Sequence, residues 1–176
     1  MFSIIIFSLA GLITILLIIA LLLPKSYKVE KEVVISKPKT EVFNYIKFLK
    51  NQNNYSVWNQ LDPNMKKEYV GEDGTLGFVS KWDGNKAAGK GEMEIKKLVE
   101  NDILEIEIRF ERPWKSVSPA YMTLESLDGK TTKVKWGMTG NMSYPLNLML
   151  LFVNMDKAIG KDLQKGLDNL KVILEK

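Results

Sequence analysis

The sequence predicts an α+β fold: a curved antiparallel sheet of about six or seven strands wrapped on a long C-terminal helix, behind a single N-terminal transmembrane helix. Three observations carry this. Ile4–Leu23 contains no charged residue. From Lys66 to Met142, apolar and polar residues alternate between Asp-Gly pairs. From Leu148 onward, large apolar residues recur at spacings of three and four. The expected division is residues 1–24 as anchor and residues 25–176 as one domain.

Only Ser8, Gly11 and Thr14 interrupt the Ile, Leu, Phe and Ala of the first segment. A helix of residues 4–23 spans roughly 30 Å, the thickness of a bilayer's hydrocarbon core. A cleaved signal peptide is the competing reading. It calls for a basic start, a shorter apolar stretch and a small-residue cleavage site. Met1–Ser3 carry no basic residue and Leu21-Leu22-Leu23-Pro24 is not such a site, so a retained bilayer anchor is expected. Lys25, Lys28, Lys31, Lys37 and Lys39 follow the span and nothing basic precedes it, which favours a cytoplasmic domain on a single-pass membrane protein.

Tyr27, Val29, Val33 and Ile35 share one phase, and Lys28, Glu30 and Glu32 the other, the pattern of a half-buried strand. Ser36 is a candidate cap and Pro38 a first-turn residue for the helix that Val42, Phe43, Ile46 and Phe48 would bury. Asn51–Leu61 reads as a second short helix closed by Asp62-Pro63-Asn64. Asp73-Gly74, Asp83-Gly84 and Asp128-Gly129 are hairpin signals. Leu104, Ile106, Ile108 and Phe110 alternate with Glu105, Glu107, Arg109 and Glu111. Val134, Trp136 and Met138 alternate with Lys133 and Lys135. Met93 with Ile95, Leu76 with Phe78 and Trp82, and Ala120 with Met122 and Leu124 complete an apolar inner face, as in an antiparallel sheet covered on one side. Leu148, Phe152, Met155, Ile159, Leu163, Leu167, Leu170 and Leu174 predict the cover, a helix of about 28 residues within Pro145–Lys176.

All 25 basic and 21 acidic residues lie beyond Pro24, so the net charge of +4 belongs to the soluble part. Arg109 and Arg112 are the only arginines, and the lysines alternate with glutamates. Lysine is poorly suited to bidentate readout, so nucleic acid is not an expected partner. The chain has no Cys and no His. That excludes disulfides, thiolate nucleophiles and a Ser-His-Asp triad, and removes the usual zinc ligands. No metal and no cofactor is implied.

The order of strand, two short helices, about six strands and one long helix is the helix-grip arrangement. The chain resembles the START/SRPBCC superfamily, in particular its polyketide cyclase/dehydrase and lipid-transport group. The matching residues are Val33-Val34-Ile35-Ser36-Lys37-Pro38, Glu41-Val42-Phe43-Asn44-Tyr45-Ile46, Trp58, and Gly89-Lys90-Gly91-Glu92-Met93-Glu94-Ile95. They continue with Thr131-Thr132-Lys133-Val134-Lys135-Trp136-Gly137-Met138 and with Ile159-Gly160-Lys161-Asp162-Leu163 through Lys171. The likeness covers about residues 27–175. It implies a cavity between sheet and long helix that suits an apolar ligand such as a lipid, isoprenoid or polyketide-like molecule; it does not fix the activity.

The residues expected to line that cavity are Phe78, Trp82, Met93, Phe110, Met122, Trp136, Met138, Phe152, Met155 and Ile159, with Met142 nearby. Methionine adapts well to irregular apolar ligands. The plainer expectation for such stripes is closed core. Trp114 lies beside Arg112 and Lys115, where packing is the plainer expectation and contact with lipid headgroups the alternative. Gly84-Asn85-Lys86-Ala87-Ala88-Gly89-Lys90-Gly91 approaches a phosphate-binding loop, but Gly91 stands where Ser or Thr is required and a strand follows, so a hairpin loop is expected. Glu92, Glu94, Glu105, Glu107, Glu125 and Tyr121 fall on the outward phase, and no catalytic residues emerge. Three functions remain open: a membrane-anchored binding module, a structural or partner-binding domain with a filled core, and a cyclase- or dehydratase-type enzyme.

Overall fold

The computed structural model describes residues 2–176. Helix α1 (Phe2–Leu22) is long and apolar enough to cross a membrane, with a mean hydropathy of 3.1 over its most apolar window. Ala20 is its one buried residue. Thr14 Oγ1 donates to the carbonyl of Ala10 at 2.9 Å, so its hydroxyl needs no outside partner.

Seven strands form one antiparallel sheet: β1 (Ser26–Ile35), β2 (Lys66–Val70), β3 (Val79–Asp83), β4 (Lys90–Val99), β5 (Ile103–Arg112), β6 (Ser116–Ser126) and β7 (Thr132–Asn141). Their spatial order is β1-β7-β6-β5-β4-β3-β2. The chain's first and last strands pair without a break from Ser26↔Asn141 to Ile35↔Thr132. The phases hold as the alternation demands. Val29, Ile35, Leu104, Ile106, Met122, Leu124, Val134 and Trp136 are buried on the inner face. On the outer face Arg109 is paired with Glu92, Glu94 and Glu107. Also outside, Tyr121 lies across Gly137, where a Cβ would fall within 2.2 Å of its ring, and donates to the Glu30 carboxylate.

α2 (Lys39–Ile46) buries Val42, Phe43 and Ile46. Pro38 stands at its N-cap with no side-chain cap. Ser36 does not cap it; its backbone N–H instead donates to Glu175 Oε1 at 2.6 Å. The expected second helix is broken into 3-10 turns at Leu49–Asn51 and Trp58–Gln60 around α3 (Gln52–Tyr55). Asp73 explains the first turn, accepting from the backbone N–H of Leu49 at 2.8 Å and Lys50 at 3.1 Å. Gly84–Gly89 is a hairpin loop leading into β4, as expected.

The C-terminal helix differs from the 28-residue rod that its spacing predicts. Leu146–Leu151 is a 3-10 helix, a π-turn covers Asp156–Gly160, and α4 spans only Lys161–Leu174. Asn154 supplies the reason. Its Oδ1 accepts from the Lys157 N–H at 3.0 Å while its carbonyl accepts from Ala158 at 3.0 Å, so a new helix starts there. Gly160 then lies within 2.6 Å (ideal Cβ) of the Lys31 side chain, which reaches Asp156 at 2.8 Å. Leu163, Leu167 and Leu170 of α4 press onto the sheet. Leu76, expected on the inner face, is 64% exposed in the β2–β3 connection, because a turn precedes β3 there.

Candidate functional site

A cavity of about 330 Å³ lies between the sheet and the start of α4. The register places it. At one end of the sheet lie the strand termini Ser26, Asn141, Ser116, Arg112, Lys90, Asp83 and Lys66, with Ser26 paired to Asn141 and Lys90 to Arg112 and Asp83. The opposite end carries the hairpin between β6 and β7. The lining residues Tyr27, Met65, Ala88, Pro113 and Trp114 all belong to the first end, so the cavity opens there.

Side-chain volume explains why space remains. At the closed end, the inner residues of β6 are Met122 and Leu124, both buried. Towards the open end they are Ser116, Ser118 and Ala120, all three lining the cavity. Small residues there face no large ones that fill the gap, in contrast to an interdigitated core. Aromatic pairs brace both sides. Trp136 packs edge-on against Tyr55 at 5.7 Å and Trp58 at 6.0 Å between ring centres. Trp82 meets Phe110 edge-on at 5.8 Å and donates from Nε1 to the Ala88 carbonyl at 3.1 Å. Gly91 makes room for that ring, since a Cβ would come within 2.7 Å of it.

Of the ten residues expected to line a cavity, the structure brings six together on its wall: Trp82, Met93, Phe110, Trp136, Met138 and Ile159. Phe78 and Met122 lie elsewhere in closed core, Phe78 stacked on Tyr69 and Met122 in contact with the Tyr55 hydroxyl at 3.8 Å. Met155 packs against the core outside the cavity wall. Phe152 is placed differently from expectation. It is 80% exposed, because the break at Asn154 takes it off the helix face that covers the sheet. Trp114, for which packing is the plainer expectation, is 77% exposed at the cavity mouth.

The sequence reading missed the polar part of the wall, Gln52, Ser56, Asn59, Ser116 and Ser118. Gln52 is 3% exposed, and its Nε2 is buried with no hydrogen-bond partner. The inward Ser116-x-Ser118-x-Ala120 phase was the available signal. No Asp, Glu, Lys or Arg lines the cavity. Its one titratable side chain is Tyr27, whose phenol burial pushes up, keeping it protonated. Such a wall offers apolar contact area, a few neutral donors and acceptors, and no carboxylate to act as a base. Among the described residues no group of three Asp or Glu is placed to hold a metal ion.

No protein-family model matches the sequence, and no curated protein matches it. Solved structures do match the fold. A norcoclaurine synthase point mutant from Thalictrum flavum, in complex with a transition-state analogue, aligns with a TM-score of 0.62 at 8% identity, covering 85% of this chain and 94% of that one. A protein from Chromobacterium violaceum gives 0.58 at 14% identity, covering 85% and 97%. One from Rhizobium loti gives 0.59 at 16% identity, covering 84% and 96%. At these identities the likeness establishes the architecture alone: the chain has the helix-grip, Bet v1-like fold.

Proposed function

We propose that this protein is a membrane-anchored binding module that holds or passes an apolar small molecule, such as a lipid, isoprenoid or polyketide-like compound. The observation that carries the reading is the uncharged cavity of about 330 Å³, left open where a filled core would have closed it. Residues 1–24 serve as the anchor and residues 25–176 as the binding domain in this reading. Helix α1 has the length and hydropathy for a span, and the lysines after it favour a cytoplasmic domain. Tethering raises the effective concentration of the pocket near a membrane-borne ligand without adding contacts. Each methylene buried in the cavity contributes roughly 0.8 kcal/mol. The ligand contacts would come from Trp82, Met93, Phe110, Trp136, Met138 and Ile159, with Gln52 and Ser118 orienting any polar group. The resemblance to START/SRPBCC proteins supports the same reading.

A cyclase- or dehydratase-type enzyme is the second reading, favoured by the protonated Tyr27 phenol on the cavity wall. One experiment separates them. The full chain, purified in mild detergent, is released for native mass spectrometry and extracted with organic solvent in parallel. A discrete apolar molecule, retained unchanged and competed by 1-anilinonaphthalene-8-sulfonate, is the expected result. A chemically altered product on incubation would favour the enzyme. A clean unliganded mass with no probe uptake would overturn both readings in favour of a structural domain.

A further inference from the structure

We propose that the rim of the cavity dips into the same membrane that α1 spans, so that the cavity mouth opens onto the lipid leaflet. This rests on the membrane-anchored reading above and specifies where the ligand enters. Four observations carry it.

The mouth and α1 share one end of the molecule. Only three residues separate Leu22 from β1, and Ser26 pairs with Asn141 at the open end of the sheet. Second, the segment after β7 is apolar and turned outward. From Met142 to Met155 there is no charged residue. Leu146, Met149, Leu151 and Phe152 are exposed within it, and Trp114 is exposed beside the mouth. Scattered single apolar residues on a surface are ordinary; a cluster confined to one end is an interaction site.

Third, this segment is joined directly to the membrane helix. Asn147 is fully buried, and its Nδ2 donates to the carbonyls of Ala20 at 2.7 Å and Leu23 at 3.3 Å. Those carbonyls belong to the last turn of α1 and the residue after it, which lack helical partners of their own. The 3-10 helix Leu146–Leu151 is thereby held at the level where α1 leaves the bilayer. Its exposed leucines continue the apolar surface of α1 instead of forming a separate patch, which points to lipid as the occupant.

Fourth, the surrounding charge fits a headgroup layer. At this end Asp83 is paired with Arg112, Glu111 with Lys90 and Asp156 with Lys31. Lys25, Lys115 and Lys157 flank the apolar rim, and none of them is in a salt bridge among the described residues. Free lysines around exposed Trp, Leu and Phe suit anionic lipid over an apolar interior.

The chain contains no cysteine, so single labelling sites can be introduced one at a time. Phe152→Cys, Leu146→Cys and Trp114→Cys place an environment-sensitive fluorophore on the rim. Leu127→Cys and Val172→Cys place it on exposed residues away from the mouth, in the β6–β7 hairpin and on α4. Each full-length variant is reconstituted into vesicles of phosphatidylcholine and phosphatidylglycerol. The expected result is quenching of the three rim labels by brominated acyl chains, with severalfold less quenching by aqueous iodide than at residues 127 and 172. Equal iodide access at all five sites would overturn the proposal. Rim protection that needs high protein-to-lipid ratios and shows no bromolipid quenching would overturn it in favour of a second copy. Failure of the chain to float with the vesicles would overturn the anchor itself, a result distinct from a failed ligand search.

Discussion

Gln52 brings a carboxamide nitrogen to the cavity wall and leaves it without a partner. A buried unsatisfied donor costs about 1–3 kcal/mol. Gln52→Leu is therefore expected to stabilise the unliganded protein by about that amount in urea unfolding, while weakening binding of any ligand that carries a carbonyl or hydroxyl acceptor. A loss of stability would mean that the amide has a partner in solution. On the outer face, the Tyr121 hydroxyl holds the Glu30 carboxyl below the ordinary glutamate range, with Lys28 adding to the effect against the opposing cost of burial. A lowered folded pKa gives stability that is present above the unfolded value and lost as pH falls through the folded one. Tyr121→Phe should thus flatten the fall of melting temperature with acidification below the ordinary glutamate range. An unchanged acid slope would remove Tyr121 as the cause.

At the scale of elements, α4 closes on the sheet through a glycine. A Cβ at Gly166 would stand 2.7 Å from Trp136 Cζ3, a ring wedged between Tyr55 and Trp58. Alanine gains about 1 kcal/mol of helix propensity over glycine. Overpacking a buried ring costs about 1–3 kcal/mol. Because Tyr55 and Trp58 pack edge-on against the ring and a shift would disturb both contacts, the clash should win, and Gly166→Ala is expected to destabilise by about 1 kcal/mol in thermal or chemical unfolding. Trp136→Ala removes a ring that is 4% exposed and braces the cavity, with an expected loss of about 3–5 kcal/mol. A loss below about 1 kcal/mol with altered ligand uptake would make Trp136 a pocket wall without a structural share.

For the whole molecule, α1 and the cavity mouth lie at one end. Ile13→Arg places a charge at the middle of α1 and should weaken insertion by about 2.5–3.5 kcal/mol on translocon scales. Unchanged membrane fractionation would show that α1 is not the anchor. What the sequence determined by itself was local: the charge-free run of α1, the strand phases of β1, β5, β6 and β7, and from them the fold class. Alternation and helical spacing are properties of neighbouring residues, so they survive without knowledge of the partner element. The 28-residue helix failed where a single side chain, Asn154, offered the backbone a cap that periodicity does not register. The tertiary structure alone decided which half of the inner face is core and which is cavity. It put Met122 and Phe78 in the first and Trp82 and Met138 around the second. It also decided that Phe152 turns outward, just after the 3-10 helix that meets α1. A cavity is a balance of volumes among residues well over a hundred positions apart, such as Tyr27 and Leu163, and only packing brings those volumes to one place.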